Sequence, residues 1–101
     1  MKKQKIARKI RPTKQGEGII YSVEPSIRKK GQTYNAVKVA TYKQRVMYGF
    51  LGLPAGSVVV AGTLDGYGRP GFYQGVLLLD VDGVTLSHVD CLKRIGYELV
   101  G

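Results

Sequence analysis

Short runs of β-favouring residues, separated by glycine and proline, constrain the fold of this chain most strongly. From residue 16 onward these runs are rich in Val, Ile, Leu, Thr and Tyr, and most of the 14 glycines and four prolines lie between them. No long segment repeats its apolar residues with the helical period of about 3.6, which disfavours folds that alternate strands with helices. We therefore predict an all-β fold, a small five-stranded closed barrel, because closing a sheet removes its exposed edges.

The turn residues divide the chain into a basic arm and a series of short strands. Residues 1–15 carry seven Lys and Arg side chains and too few apolar ones to offset the entropy of ordering, so we predict a flexible, disordered arm there. Residues 16–101 then form a single barrel domain with a short C-terminal extension. Asp90 is expected to cap a helical turn at residues 91–94. The predicted strands cover residues 19–23 with a weaker continuation to 27, 33–42, 46–51, 57–64, 72–79, 84–89 and 97–100.

Positive charge is concentrated in one half of the chain. The sequence has 16 Lys and Arg against seven Asp and Glu, a net charge of +9, and 13 of the basic but two of the acidic side chains lie in residues 1–45. Such one-sided charge is typical of a protein that meets a polyanion, although it also serves solubility. Because no basic amphipathic helix is visible, we expect nucleic acid rather than a membrane surface as the partner.

The sequence also bears on size and compartment. Its 101 residues provide room for one domain, and no run approaches the roughly 18–20 consecutive apolar residues of a membrane span. The basic start lacks the apolar segment of a secretory signal, and the single cysteine, Cys91, cannot form an internal disulfide. We expect a soluble, cytoplasmic protein with no membrane partner.

The alternation within residues 33–42 predicts a binding face. Val37 and Val39 point to one side as a core stripe, whereas Tyr34, Lys38 and Tyr42 point to the other, separated by alanines. Phenol rings can stack on bases while an ammonium group meets a phosphate, so this face can hold a single strand. Any of these tyrosines can instead pack at a barrel rim with its hydroxyl in water, and turn lysines can simply be solvated. With the cations and aromatic residues around it, the predicted nucleic-acid-binding set is Arg28, Lys29, Lys30, Tyr34, Lys38, Tyr42, Lys43, Arg45, Tyr48, Tyr67 and Arg69.

Two motifs lie in the middle of the chain. Residues 45–50 read RVMYGF, a basic residue followed by an apolar pair, an aromatic residue and glycine, and residues 56–64 read GSVVVAGTL, a glycine-bounded strand. Both resemble strands in the oligonucleotide-binding (OB) barrel of bacterial single-stranded DNA-binding proteins and the related primosomal replication proteins. The resemblance covers residues 33–86, about half of the chain. It implies a barrel that binds single-stranded DNA, with residues 65–71 as the loop that embraces the strand.

The chain departs from that family in three ways. Residues 52–55 are too few for the helix that joins the family's third and fourth strands, the sequence has no tryptophan, and its last residues are not an acidic tail. The resemblance therefore implies an accessory replication, recombination or mobile-element protein rather than a housekeeping binder that recruits repair enzymes.

The motifs of enzymes and metal sites are incomplete. Residues 66–71 spell G-x-G-x-x-G, but a β-patterned run follows where dinucleotide binding needs a helix. His88, Asp90 and Cys91 are the only neighbouring residues of metal-binding or catalytic type, fewer than the roughly four ligands of structural zinc. We expect no catalytic site, no metal and no cofactor, and hence no enzyme activity.

Two other functions fit the same sequence. The apolar residues 76–79 and the near-neutral C-terminal half suit a structural or protein-interaction barrel, for example in a viral, secretion or replication assembly. Its edge strands would pair into a homodimer or a higher homo-oligomer. The other is a binder of double-stranded DNA or RNA with an SH3-like barrel. The one-sided positive charge supports this function as well, and only the ligand differs. Competition between single- and double-stranded probes separates the nucleic-acid hypotheses.

Overall fold

The computed structural model describes residues 4–13, 18–42, 45–47, 50–53, 55–67 and 69–100, and for 45–47, 50–53 and 73–74 the description is limited to the backbone. Strands dominate this part of the chain and one short helix lies near its C-terminal end, which confirms the all-β prediction. No helix within it is long and apolar enough to cross a bilayer. The elements in chain order are β1 (Ile6–Pro12), β2 (Ile19–Lys29), β3 (Gln32–Tyr42), β4 (Arg45–Met47), β5 (Phe50–Leu53), β6 (Gly56–Leu64), β7 (Pro70–Asp82), α1 (His88–Arg94) and β8 (Glu98–Val100).

Six of the described strands form one open sheet in the order β7-β6-β3-β2-β1-β8. Neighbours are antiparallel except β1 and β8, which run parallel. β4 and β5 form a separate two-stranded sheet. Because β8 pairs with β1 and not with β7, the sheet keeps two edges, and the predicted closed, five-stranded barrel is wrong. The sequence pattern identifies strands one at a time, whereas closure depends on pairing between segments that are distant in the chain.

The segment Ile6–Pro12 forms β1 instead of the predicted flexible arm. β1 lies between β2 and β8, so its backbone meets hydrogen-bonding neighbours on both sides. Ala7 is fully buried opposite Val23 of β2 and Leu99 of β8. The prediction weighed only the apolar side chains of this segment, whereas backbone pairing along two edges contributes the stabilisation that offsets its ordering.

The predicted strand at residues 84–89 is not formed. Its first residues are held instead by the side chain of Ser57, which is almost completely buried. The Ser57 hydroxyl donates to the Val84 carbonyl oxygen (3.0 Å) and accepts from the Leu86 N–H (2.8 Å). These two bonds satisfy backbone groups that a strand would have offered to a neighbour.

The helix begins earlier than the sequence predicts, at His88. Its N-cap is Ser87, whose side-chain oxygen accepts from the Asp90 N–H (3.1 Å), so the expectation that Asp90 is the cap is wrong. Of residues 46–51, predicted as one strand, 46–47 lie in β4 and 50–51 in β5, and these two strands pair with each other. The predicted strands at 33–42 and 57–64 match β3 and β6 closely.

The main core lies between α1 and one face of the large sheet, which we call the helix-side face. Val37 and Val39 of β3 are fully buried there, as the alternation of that strand predicts. α1 packs across β3 and β6 and next to β8. The buried side chains that meet in this core are Ala7, Tyr21, Val23, Val37, Val39, Val59, Cys91, Leu92 and Tyr97.

We call the opposite face of the sheet the concave face, because residues from separate strands line one cleft on it. The strand register places Ile20 of β2, Lys38 of β3 and Val60 of β6 side by side on it. A Cβ atom on Gly62 would lie 2.3 Å from Cδ1 of Phe72, so the missing side chain lets this ring lie against the sheet. Residues of β1 and of the loop between β6 and β7 line one cleft, although β2 and β3 separate them in the sheet. The two ends of the sheet therefore approach each other across this face.

Candidate nucleic-acid interface

Lys38 is the cation at the centre of the concave face. It is half-buried between Ala36 and Ala40, both almost completely buried, and its Nζ lies 5.8 Å from the centroid of the Phe72 ring. A lysine stem can cover apolar surface while its ammonium group interacts with the face of an aromatic ring. The sheet therefore presents a positioned positive charge beside an aromatic side chain.

A cleft of about 500 Å³ opens on the same face, and we call it the concave cleft. Arg11 and Pro12 at the end of β1 line it together with Arg69 and Pro70 at the start of β7. Ile20 contributes apolar surface, and its neighbour across the β2–β3 pair is Lys38. Two guanidinium groups from segments far apart in the chain thus share one cleft, and no carboxylate is among its described lining residues.

The loop between β6 and β7 holds an aromatic ring in solvent next to this cleft. The Asp65 Oδ1 atom accepts from the Tyr67 N–H (2.8 Å) and the Arg69 N–H (2.9 Å), which fixes the loop backbone. The Tyr67 side chain is 88% exposed, and the Arg69 guanidinium carbon lies 5.7 Å from the centroid of its ring. A ring this exposed can accept a base by stacking.

Side-chain hydrogen bonds also hold the end of the strand from which this loop starts. The side chain of Asn35 bonds both backbone groups of Leu64, accepting from its N–H (2.7 Å) and donating to its carbonyl oxygen (3.1 Å). This pair of bonds ties the end of β6 to the start of β3. The loop that carries Tyr67 and Arg69 therefore has a fixed position relative to Lys38.

The predicted role of Tyr34 is wrong, because its side chain is only 5% exposed and cannot stack on a base. Its hydroxyl donates to the Gln32 Oε1 atom (3.1 Å). Tyr42 is half-buried at the end of β3. Strand alternation predicts the side of the sheet on which Tyr34 lies, but it does not predict that this side chain is buried.

The predicted cations divide between two regions. Lys38 and Arg69 lie at the concave face, whereas Arg28 and Lys29 line a second cleft near α1. Lys30 is exposed in the β2–β3 turn, where it and Gly31 both adopt positive φ (52° and 76°). Lys43 and Tyr48 lie outside the described residues, as does the side chain of Arg45.

Sequence reasoning missed Arg11 and Phe72. Arg11 was assigned to the flexible arm, so its place at the concave cleft depends on a strand that was not expected. Phe72 was predicted only as a strand residue. Gly62 gave a signal for it, because a glycine inside a strand often marks the close approach of another group.

The ionisable groups around α1 belong to the core. The hydroxyl of Tyr21 lies 3.0 Å from Nδ1 of His88. Burial raises the pKa of Tyr21, and burial together with the charge of Lys9 lowers the pKa of His88. Burial also raises the pKa of the Cys91 thiol, which keeps it protonated and weakly nucleophilic. All three groups are therefore held in their neutral forms.

Metal-ligand geometry gives no further candidate. Within the described ranges, no group of three or more His, Cys, Asp or Glu side chains is arranged to hold a metal ion.

Comparison with known proteins gave no match: no family model, no curated protein and no solved structure matches this chain. The resemblance of residues 45–50 and 56–64 to OB-barrel strands thus remains an expectation from sequence, and the function has to be argued from the site itself.

Proposed function

We propose that this protein binds single-stranded nucleic acid, DNA in the first place, through the concave cleft and with little sequence preference. The observation that carries the proposal is that Arg11 and Arg69 line one cleft together with Ile20, the cross-strand neighbour of Lys38. Aromatic rings accompany two of these cations, Phe72 beside Lys38 and the exposed Tyr67 beside Arg69. By the resemblance stated above, its cellular role is that of an accessory replication, recombination or mobile-element protein.

The chemistry of the cleft suits an unpaired strand. Its cations attract the phosphodiester backbone regardless of sequence, and an aromatic ring can stack on the face of any base. Stacking contributes about 1–3 kcal/mol per base in sites of this kind. A cleft of about 500 Å³ between two ends of one sheet accommodates splayed nucleotides better than the broad surface of a duplex. These points favour single-stranded over double-stranded ligands.

Fluorescence anisotropy with labelled oligo-dT, oligo-rU and duplex probes tests the proposal. Arg11→Gln combined with Arg69→Gln removes two exposed charges from the cleft, and we expect it to weaken oligo-dT binding by about tenfold or more. Lys30→Gln combined with Lys93→Gln is the matched control, because both side chains are exposed and neither lines a described cleft. Lys30 belongs to the set predicted from sequence, but it is not part of the proposed site, because it lies away from the concave cleft in the β2–β3 turn. Equal weakening by the two double variants would mean that overall charge, and not the concave cleft, attracts the strand.

A protein-interaction module is the second candidate, supported by the edge position of β7. This strand has 13 residues, lies at one edge of the six-stranded sheet and carries Leu77 with 51% of its side chain exposed. Such an edge can pair with a second copy of the chain and extend the sheet. Multi-angle light scattering that gives a defined dimer, together with no oligonucleotide binding at low salt, would favour this function over the first.

A further inference from the structure

A second cleft, of about 370 Å³, lies near the C-terminal end of α1, and we call it the helix cleft. Four cations line it from three parts of the fold: Lys5 before β1, Arg28 and Lys29 at the end of β2, and Arg94 at the end of α1. No carboxylate is among its described lining residues. Among the described lining residues, none is common to the concave and helix clefts.

The cations of this cleft are not neutralised within the described part of the chain. The exposed side chains of Arg28, Lys29 and Arg94 have no ion pair there. Like charges held close together repel one another, and a bound anion relieves that repulsion. The arrangement is therefore better suited to holding an anion than to stabilising the empty fold.

Apolar surface lies between these charges. Ile27, Leu78 and Ile95 line the cleft and pack against the main core. Tyr97 is almost completely buried beside them; its hydroxyl donates to the Pro25 carbonyl oxygen. Because the apolar side chains pack against the core and the Tyr97 hydroxyl is hydrogen-bonded, this apolar surface keeps its shape.

Lys5 is one of the cations of the helix cleft and also lies next to its apolar side chains. Its Nζ lies 5.9 Å from the centroid of the Tyr97 ring, and its backbone carbonyl accepts from the Glu98 N–H (2.9 Å). The volume of the helix cleft is within the range of about 300–1,000 Å³ that is usual for small-molecule sites. The cleft is thus of small-molecule size and is lined by both cationic and apolar side chains.

We propose that the helix cleft binds one nucleoside phosphate unit, with the phosphate at Arg28 and Arg94 and the base on the apolar surface. The planar guanidinium group pairs with phosphate oxygens through two parallel hydrogen bonds, which an ammonium group cannot do. A bare phosphate would leave the apolar lining residues Ile27, Leu78 and Ile95 without a contact. The unit comes either from a free nucleotide or from a bound strand, and only the second source rests on the function proposed above.

Isothermal titration of the full chain with ADP, adenosine and inorganic phosphate tests the first source. We expect ADP to bind at least about tenfold more tightly than either fragment, because it uses both surfaces of the cleft. Arg28→Gln combined with Arg94→Gln should weaken ADP binding about tenfold or more. Lys30→Gln combined with Lys93→Gln removes the same number of charges, from the turn next to Arg28 and from the same helix as Arg94, and should leave ADP binding within about twofold.

Oligo-dT of about 15 nucleotides tests the second source, measured by anisotropy with the same variants. If ADP does not bind but Arg28→Gln/Arg94→Gln weakens oligo-dT binding more than its control does, the unit belongs to a strand. Equal behaviour of the two double variants toward both probes would overturn the inference. So would an acidic peptide, octaglutamate, that displaces either probe as well as unlabelled nucleotide does.

The inference and the proposed function fail separately. Arg11→Gln/Arg69→Gln changes only the concave cleft, so ADP binding should persist in that variant even if it abolishes oligo-dT binding. Loss of ADP binding in both cleft variants would show that ADP responds to net charge and would count against the helix cleft. Thermal unfolding of each variant confirms that the exposed substitutions leave the fold intact.

Discussion

The two faces of the six-stranded sheet are formed by the same strands, but one is covered by a packed core and the other carries a cleft. On the helix-side face, Leu92 and Cys91 of α1 complete a core in which both are fully buried. On the concave face, Lys38 lies between small residues and Gly62 admits the Phe72 ring, leaving a cleft with cations at its margins. Because side chains alternate along a strand, β3 contributes to stability with one set of residues and to the proposed binding with the other.

Breaking the helix-side core should have the largest effect on folding. Leu92→Ala removes a fully buried side chain and leaves a cavity, which we expect to lower the free energy of unfolding by about 2–5 kcal/mol. Urea unfolding followed by circular dichroism measures the change. Tyr67→Ala is the comparison on the other face; that side chain is 88% exposed, and we expect a change below about 0.5 kcal/mol. Similar losses in the two variants would contradict the division between the faces.

Adding one methyl group inside the concave face should have an intermediate effect. Gly62→Ala would place its Cβ 2.3 Å from Cδ1 of Phe72 and 2.8 Å from the Gly71 carbonyl oxygen, so we expect about 1–3 kcal/mol of destabilisation. Oligo-dT affinity should fall too, because the ring moves away from Lys38. Gly66→Ala is the control, since nothing lies within 4 Å of its added Cβ. Identical urea midpoints and affinities for both variants would show that the Phe72 ring does not pack there.

Removing a stacking ring should affect binding and leave stability unchanged. We expect Tyr67→Ala to weaken oligo-dT binding by about 1–3 kcal/mol, whereas Tyr67→Phe keeps the ring and retains most of the affinity. Tyr34→Phe should leave binding unchanged, because that ring is buried, and should cost about 0.5–1.5 kcal/mol of stability through its lost hydrogen bond. Anisotropy would count against the concave cleft if Tyr34→Phe weakened binding more than Tyr67→Ala did.

Titration of His88 should give the smallest effect. Its pKa is lowered by burial and by Lys9, so between that lowered value and the ordinary 6.5 the unfolded chain binds a proton that the folded chain does not. The free energy of unfolding should therefore rise with pH across this window and fall as the solution is acidified through it. Urea unfolding at several pH values measures the slope.

His88→Gln provides the control for that slope. The variant has no imidazole to titrate, so we expect a flatter dependence of stability on pH than in the wild type. Subtracting the two profiles removes the contribution of the carboxylates, which both proteins share. Identical profiles would mean that His88 does not change its proton affinity on folding.

Local pattern predicted much of the fold because a strand's period is a property of neighbouring residues. It located β3 and β6 and identified Val37 and Val39 as core, and it placed Lys38 on the other side. The local pattern does not predict which strands pair with one another. β1 is a strand because β2 and β8 lie beside it, and residues 84–86 are not one because Ser57 bonds their backbone.

The candidate site was predicted only in part for the same reason. Composition and alternation identify cations and aromatic residues; of these, Arg69 lines the concave cleft, Tyr67 lies beside it in the same loop, and Lys38 lies beside Phe72. Whether a residue on a face is open or covered depends on what packs over it from distant parts of the chain, and Tyr34 is covered. Tertiary structure also brings Arg11 to the same cleft as Arg69, although no local signal connects the two.

The most direct test of the concave cleft is the salt dependence of oligo-dT binding by the wild type, Arg11→Gln/Arg69→Gln and Lys30→Gln/Lys93→Gln. Each phosphate contact on a single strand contributes about 0.7 to the slope of log K against log salt concentration. Loss of two contacts should therefore flatten the slope by about 1.4 in the cleft variant, while the control keeps the wild-type slope. Equal slopes for all three proteins, or equal flattening in both variants, would contradict the proposal that these guanidinium groups contact the strand.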